Sequence, residues 1–188
     1  MGILNRFLKN LCGEFNNDKQ IKEELTMGKV IHPKAKHIND ICNDKIKNLP
    51  NDFKGYFVIE ESYYDLGNRK NILPHLFLFE LNEDNKVVLT SYELPEGISK
   101  EEFRNDNKEL IMDYTKLVKS SKFTPMIYDE VGGVFQGECV SEFGPDFFFT
   151  LKETTSSDKL IVSEVFRKNG KITFGFENPI IYDKLKQY

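Results

Sequence analysis

Several β-type segments of this chain carry a polar side chain among apolar ones, and these polar residues are the first candidates for chemistry. They are Glu60, Glu61, His75, Tyr92, Gln136 and Glu164. If they point into a small β-barrel, they line a mixed aromatic and polar cavity suited to a ligand. If they face solvent, they are ordinary surface positions, because glutamate is mostly exposed in proteins. Strand alternation alone leaves both arrangements open.

Paired carboxylates are a second chemical possibility. Glu60 or Glu61 facing Glu164 across a barrel is an arrangement that acid/base catalysis of the glycosidase kind requires. A chain with 30 acidic residues offers many such pairs, however. The pairing is therefore a weak indication of catalysis, and the residues themselves leave open whether the protein is an enzyme.

Metal and nucleophile motifs find little support in the sequence. His32, His37 and Cys42 follow one another at steps of five, and on one helix such a step turns each side chain about 140° from the last. These residues are therefore expected on loops and helix surfaces, and no metal site is predicted. The chain also has no glycine-rich phosphate loop and no G-x-S-x-G elbow.

Composition narrows the class of protein. The 188 residues predict a single domain, 1–188, with a core that needs no disulfide or metal. The formal charge of −4 and only four arginines argue against a nucleic-acid partner. Three widely spaced cysteines favour a cytoplasmic protein. The apolar stretch at the N-terminus is too short for a signal peptide or a membrane span. No membrane partner is expected.

The first fifty residues carry helical spacing. Leu4, Leu8, Leu11 and Phe15 recur at steps of four, three and four, which predicts a helix ending near Asn16 and Asn17. Asp18 is a capping residue for a second helix with Ile21 and Leu25 inward, and a third pattern runs from Ile38 to Leu49 before Pro50. We therefore expect 1–50 to be a helical segment that packs on the remainder.

From Gly55 onward the apolar period changes to two. Strands are predicted at 55–64, 75–81, 86–93, 124–130, 133–141, 146–152, 158–167 and 171–177, with a short ninth at 179–183. Asn169-Gly170 is the strongest hairpin signal. One interruption, 99–119, begins with the capping box Ser99-x-x-Glu102 and predicts an amphipathic helix.

So many antiparallel strands leave exposed edges unless the sheet closes. We therefore predict a mainly β fold in which 55–183 form an antiparallel barrel, with N-terminal helices and the one helix 99–119 inserted. The residues leave open whether two copies associate as a homodimer.

The segments LCGEFNNDKQ, VIEESYYD, FTPMIYDEVGGVFQGE and LIVSEVF follow one another along the chain. Their motifs, in this order, resemble those of the T-type phycobiliprotein lyases, the CpcT/CpeT family. LCGEFNNDKQ is similar to the opening L-x-G-x-F-x-N-x-x-Q segment, and VIEESYYD to the V-E-Q-x-Y strand, with Glu60 and Tyr63 at its acidic and tyrosine positions. FTPMIYDEVGGVFQGE and LIVSEVF resemble the hairpin and the SEV strand that follow. The resemblance extends in outline over residues 8 to 177.

This resemblance implies a calycin- or lipocalin-like barrel that binds a bilin, a linear tetrapyrrole, and attaches it to a cysteine of a phycobiliprotein acceptor. Glu60 would then act on the pyrrole nitrogens as the catalytic group. The ligand-binding side chains that the resemblance and the barrel together imply are Tyr63, Tyr64, Arg69, His75, Tyr92 and Glu164. No cofactor beyond such a bound bilin is expected.

Two departures from the family pattern keep a second function open. The arginine-rich segment after the tyrosine strand is reduced to Arg69 and Lys70, and Phe174 replaces an arginine near the end. These losses remove cations that would hold bilin propionates. The alternative is a non-enzymatic calycin-like protein that binds another small apolar ligand or a protein partner.

Overall fold

A computed structural model describes residues 2–67 and 70–188. The helices are α1 (Ile3–Leu11) and α2 (Asp18–Thr26), with short 3-10 turns at Asn43–Lys45 and Tyr114–Lys116. The strands are β1 (Gly13–Asn16), β2 (Lys34–Ile41), β3 (Ile46–Lys47), β4 (Tyr56–Asp65), β5 (Lys70–Leu81), β6 (Val87–Tyr92), β7 (Met112–Asp113), β8 (Met126–Val131), β9 (Val134–Gly144), β10 (Phe147–Thr155), β11 (Lys159–Lys168), β12 (Lys171–Gly175) and β13 (Ile180–Gln187).

The described strands form a closed antiparallel barrel. Ten of them follow the order β10-β9-β8-β6-β5-β4-β2-β1-β13-β11, and β11 pairs again with β10 to close the ring. β12 is the return strand of the predicted Asn169-Gly170 hairpin on β11. The prediction of a mainly β barrel with flanking helices is confirmed, because closure removes the edges that an open sheet would expose.

Helix α1 closes one end of the barrel. Its apolar spacing of three and four places Leu4, Phe7, Leu8 and Leu11 on one buried face. Phe7 is fully buried and contacts the rings of Phe79, Tyr128 and Phe135, with centroids 4.6 to 5.2 Å apart. The face of the helix that was predicted from the sequence therefore forms the floor of the barrel interior.

The predicted end of this helix is wrong. α1 ends at Leu11, and Phe15 lies on β1, where it is fully buried. Gly13 explains the change, since its φ of 144° favours glycine and the chain becomes extended there. On α2 the inward side chain is Glu24, whereas Leu25 is exposed, because Glu24 bonds to the buried ring of His32.

The predicted third helix, within the helical segment 1–50, is also wrong. Residues 34–41 form β2, which lies between β1 and β4 in the barrel. Ala35, His37 and Asn39 alternate inward and are all buried. His32, His37 and Cys42, which were expected at the surface, are buried as well. Pairing with two neighbours outweighs the helical spacing that the isoleucines suggest, because local propensity is a weak prior.

The predicted helix 99–119 does not form. The Ser99 and Glu102 capping box is present, with mutual bonds of 2.7 to 3.3 Å, but it serves a single turn. The chain then turns so that the backbone N–H and the amide of Asn105 both donate to the buried carboxylate of Glu61. A continuous helix could not deliver both donors to one carboxylate on the barrel wall.

This inserted segment covers the outside of the barrel. Phe103, Leu110 and Met112 are buried against the outer face of β4 and β5, where Phe57 and Leu76 lie. The barrel thus has an apolar cluster on its outer wall as well as one in its interior. Strands β4 and β5 are consequently buried on both faces.

Gly175 ends β12 against the wall of the barrel, and we expect no other residue to fit there. Its φ is 90°, and an added Cβ would lie 1.7 Å from the carbonyl oxygen of Glu164. Gly175→Ala should therefore lower the free energy of unfolding by at least about 2 kcal/mol, measured by urea denaturation. Gly132→Ala is the control, because φ is 61° there but no atom lies within 4 Å of the added Cβ. Equal losses in the two variants would contradict a packing role for Gly175.

Candidate functional site

The alternation of β4 decides which predicted site residues face the barrel interior. Glu60 pairs in register with Asn39 on β2 and with His75 on β5, and these side chains share the inner face. Tyr64 lies four residues further along on that face, and its hydroxyl donates to Glu164 on β11 at 3.4 Å. The structure therefore brings together four of the predicted residues: Glu60, Tyr64, His75 and Glu164. Their role in ligand binding stays a prediction.

The other predicted residues do not join this group. Tyr63 points outward, where its hydroxyl donates to Glu61. Tyr92 belongs to the outer apolar cluster and contacts the ring of Phe57 at 5.2 Å. Gln136 is exposed, and Arg69 lies outside the described residues. One step along a strand reverses the face of a side chain, which is why neighbours such as Tyr63 and Tyr64 separate.

Three acidic side chains lie in the described interior of the barrel. Glu60, Glu153 and Glu164 come from three different strands and are buried or half-buried. His37 Nδ1 lies 3.8 Å from Glu60, and Tyr128 donates its hydroxyl to Glu153 at 2.7 Å. These carboxylates act on one another electrostatically across the barrel, since the charge of Glu60 raises the pKa of both others.

Within this cluster, Glu60 and His37 shift the pKa values of one another in opposite directions. Burial raises the pKa of Glu60, but the charge of His37, together with that of His75 and the hydroxyl of Ser62, outweighs burial, and the net pKa is lowered. Burial lowers the pKa of His37, but Glu60, together with Glu164 and Glu153, outweighs burial, and the net pKa is raised. Each group thus favours the charged form of the other.

The pKa of Glu153 is shifted in the opposite direction from that of Glu60. Burial, followed by the negative charge of Glu60, raises its pKa to about 8. At neutral pH this carboxyl is therefore mainly protonated, and the cluster holds one carboxylate and one carboxylic acid close together. Burial also raises the pKa of Glu164, against the opposing charge of His75.

Several polar atoms beside this cluster lack a partner among the described residues. Both ring nitrogens of His37, Oδ1 of Asn39 and Oγ1 of Thr155 are buried without a hydrogen bond. Leaving a buried polar group unpaired costs about 1–3 kcal/mol, so the interior favours a polar guest that bonds to these atoms.

A cavity lies above the acidic cluster, at the end of the barrel opposite α1. Its volume is about 150 Å³. Its lining residues are Pro33, Tyr64, Leu66, Asn71, Val162, Glu164, Phe174, Gly175, Phe176, Ile180 and Tyr182. Most of this wall is aliphatic or aromatic, and Glu164 is the acidic group in it. An apolar pocket with a few polar groups is the usual form of a small-molecule site.

Phenylalanines line the mouth next to this cavity. Phe143, Phe149 and Phe166 contact one another edge-on or tilted at 4.6 to 6.4 Å, and Phe174 joins Phe166 at 6.3 Å. Phe123 and Phe147 complete the group. This aromatic mouth accounts for part of the high phenylalanine content of the chain. Flat or aliphatic ligand groups pack well against such rings.

Sequence reasoning missed three interior residues. His37 was expected on a loop or a helix surface, and Glu153 and Tyr182 were not singled out. The signal was present in each strand: Phe149, Leu151, Glu153 and Thr155 alternate along β10, with Glu153 on the inward face. An alternation shows which residues share a face, but only closure of the sheet shows that the face is the interior.

Comparisons of this chain with known protein families and curated proteins gave no match. Among residues 2–67 and 70–188, no group of three or more histidine, cysteine, aspartate or glutamate side chains has metal-binding geometry. Within the same described ranges, no helix has the length and apolar content that crossing a bilayer requires. The class of the protein therefore follows from its geometry: a ten-stranded antiparallel barrel compatible with ligand binding.

Proposed function

We propose that this protein binds a small apolar molecule that carries an N–H donor or a positive charge at one end. The observation that supports this most is Glu164, an acidic side chain on the wall of a largely apolar cavity. The Tyr64 hydroxyl orients this carboxylate, and His75 and Glu60 lie beneath it. A carboxylate in such surroundings accepts a hydrogen bond or pairs with a cation more strongly than it does in water.

The charge of the interior sets the ligand class. The described residues around the cavity include no lysine or arginine side chain, so an anionic head group finds no strong partner there. The carboxylate of Glu60 instead repels an anion, and Glu164 accepts from a donor. A fatty acid or other carboxylate ligand is therefore disfavoured relative to an amine, an indole or a pyrrole.

The volume of the cavity sets the ligand size. A cavity of about 150 Å³ is comparable to engineered apolar cavities that hold one benzene ring. One aromatic ring system of a ligand fits inside, and a longer molecule would extend along the aromatic mouth. The phenylalanines there provide a surface for that extension.

A bilin is the specific long ligand that we propose to test, because the CpcT/CpeT resemblance implies it. One terminal pyrrole ring would enter the cavity with its N–H toward Glu164, and the remainder would lie on the aromatic mouth. Covalent attachment to a phycobiliprotein cysteine is the further step that the resemblance implies. It would use the thiol of the acceptor, so the barrel need only position the chromophore.

Indole is a suitable first probe, because the chain contains no tryptophan and indole fluorescence is separable from that of tyrosine. We expect saturable binding with a blue shift as the ring enters the apolar cavity. Glu164→Leu should weaken indole binding roughly tenfold, because the acceptor for its N–H is lost. Glu164→Gln retains an acceptor oxygen and should give a smaller loss.

Matched probes and variants make this test specific. Benzofuran has the shape of indole without the N–H, so its competition against indole should be insensitive to Glu164→Leu. Val162→Phe fills the cavity and should reduce the binding of both molecules. Glu138→Leu, on the exposed outer face of β9, is the control. If the wild-type protein bound neither probe, or if Glu164→Leu affected both equally, the proposed ligand class would be wrong.

A further inference from the structure

The open end of the barrel combines exposed apolar side chains with lysines on three separate segments. The loop after α2 carries Lys29, Val30 and Ile31, the turn after β4 carries Leu66 close to Lys70, and the β11–β12 hairpin carries Lys168, Lys171, Ile172 and Phe174. Leu66 and Phe174 are each more than half exposed, and Val30 is 51% exposed. We call these residues the basic-apolar rim.

The rim surrounds the mouth of the cavity. Pro33, Leu66 and Phe174 line the cavity together, so the three segments meet around one opening. His32 fixes the first segment, because its ring bonds to Glu24 on α2 and to the carbonyl oxygen of Asn178. The same ring contacts Phe176 at 5.2 Å. The apolar side chains are therefore held on a defined surface even though they face solvent.

The lysines of the rim are available to a partner. Among the described residues, Lys29, Lys70, Lys168 and Lys171 form no ion pair. Two acidic groups at this end are already neutralised, since Asp18 pairs with Lys34 and Glu177 with Arg167. Asp65 and Asp146 also lie in the turns of this end, so the four lysines are only partly offset.

The turns at the opposite end of the barrel carry acidic side chains beside lysines such as Lys54 and Lys86. The β5–β6 turn there carries Glu83 and Asp84, and the β10–β11 turn carries Asp158. The chain as a whole has a charge of −4, so the free lysines at the mouth are not a consequence of a basic composition. The unpaired lysines of the rim would attract the cavity mouth toward a negatively charged surface.

We propose that the basic-apolar rim docks on an anionic phospholipid bilayer and presents the cavity mouth to it. Exposed apolar side chains interspersed with lysines match the apolar boundary and the negative head groups of such a surface. A bilayer is also a reservoir for apolar molecules, which would enter the cavity from it. The sequence-based expectation of no membrane partner rested on the lack of a spanning segment, whereas these residues are dispersed over three segments.

The test is sedimentation of the full chain with sucrose-loaded vesicles of phosphatidylcholine alone or of equal parts phosphatidylcholine and phosphatidylserine. We expect binding to the phosphatidylserine vesicles that decreases as the salt concentration rises. The double variant Lys168→Gln, Lys171→Gln should bind roughly 30-fold more weakly, on the order of fivefold for each lysine. Leu66→Ser with Phe174→Ser should also reduce binding.

The control is Lys9→Gln with Lys54→Gln, which makes the same change in charge at the far end of the barrel, on α1 and just before β4. This pair should leave vesicle binding within about twofold of wild type. Failure of the wild type to bind anionic vesicles at low salt would overturn the proposal and make an acidic protein surface the next partner to test. Equal losses in the two lysine pairs would also overturn it. Indole binding is measured without vesicles, so failure of the proposed ligand class would be seen separately.

Discussion

Replacing Glu153 by glutamine should stabilise the protein strongly at alkaline pH and barely at acid pH. The folded protein raises the pKa of this carboxyl to about 8 from an ordinary value of 4.5, through burial and then the charge of Glu60. A folded state that holds a proton more tightly than the unfolded chain loses stability as pH rises between those two values. The wild type should therefore carry a penalty of up to about 5 kcal/mol above pH 8, which the neutral amide avoids.

Urea denaturation of both proteins from about pH 4 to about pH 9 measures this difference. The amide oxygen that Glu153→Gln introduces can still accept the hydroxyl of Tyr128, so the hydrogen bond of the wild type is retained. Glu138→Gln, which makes the same substitution at an exposed carboxylate on β9, is the control for the loss of one negative charge. A Glu153→Gln effect of the same size at every pH would show that this carboxyl does not hold its proton in the folded state.

Truncation of Phe7 should give the largest loss of stability among the apolar substitutions that we consider. The ring is fully buried at the floor of the barrel and contacts three aromatic rings from β5, β8 and β9. Phe7→Ala removes this contact surface and leaves a cavity that rigid strands cannot fill, so the free energy of unfolding should fall by about 3–5 kcal/mol.

Phe148→Ala is the matched control, because it deletes the same side chain from the outer face of β10, where it is 38% exposed. Its cost should stay within about 1 kcal/mol. Urea denaturation of the two variants and the wild type measures these two losses in the free energy of unfolding. A small loss for Phe7→Ala would mean that α1 is not an integral part of the barrel core.

The acidic cluster connects stability with the proposed function. The raised pKa of Glu153 costs the fold stability as pH rises, and buried ionisable groups of this kind are common at functional sites. A ligand with an N–H donor or positive charge would relieve part of that cost by interacting with the carboxylates. The proposed ligand class and the expected effect of Glu153→Gln therefore have the same electrostatic origin.

Much of the barrel could be predicted from the sequence because its signals are local. Alternation of apolar residues from Gly55 onward indicated nearly all the strands found there, and Asn169-Gly170 marked the hairpin at which β11 turns into β12. Glycine after asparagine adopts the left-handed conformation that such a turn needs, whatever surrounds it. Local signals also identified the buried face of α1.

The elements that were wrong depend on contacts between distant residues. Residues 34–41 form a strand because β1 and β4 pair with its two edges. Residues 99–119 do not form a helix because Asn105 donates to Glu61, which lies 44 positions earlier in the sequence. The sequence of either segment alone does not show these distant partners, and the spacing of its apolar residues favours a helix. Helix propensities differ by less than about 1 kcal/mol per residue for most residue types, which tertiary contacts readily outweigh.

The sequence by itself determined which side chains alternate along each strand, and therefore that Glu60 and Tyr64 share a face that Tyr63 does not. Only the tertiary structure decided that this face is the barrel interior, and that Glu153 and Glu164 from distant strands meet Glu60 and His37 there. The physical reason is that alternation has a period of two residues within one strand, whereas the enclosed site arises from register and closure among ten strands.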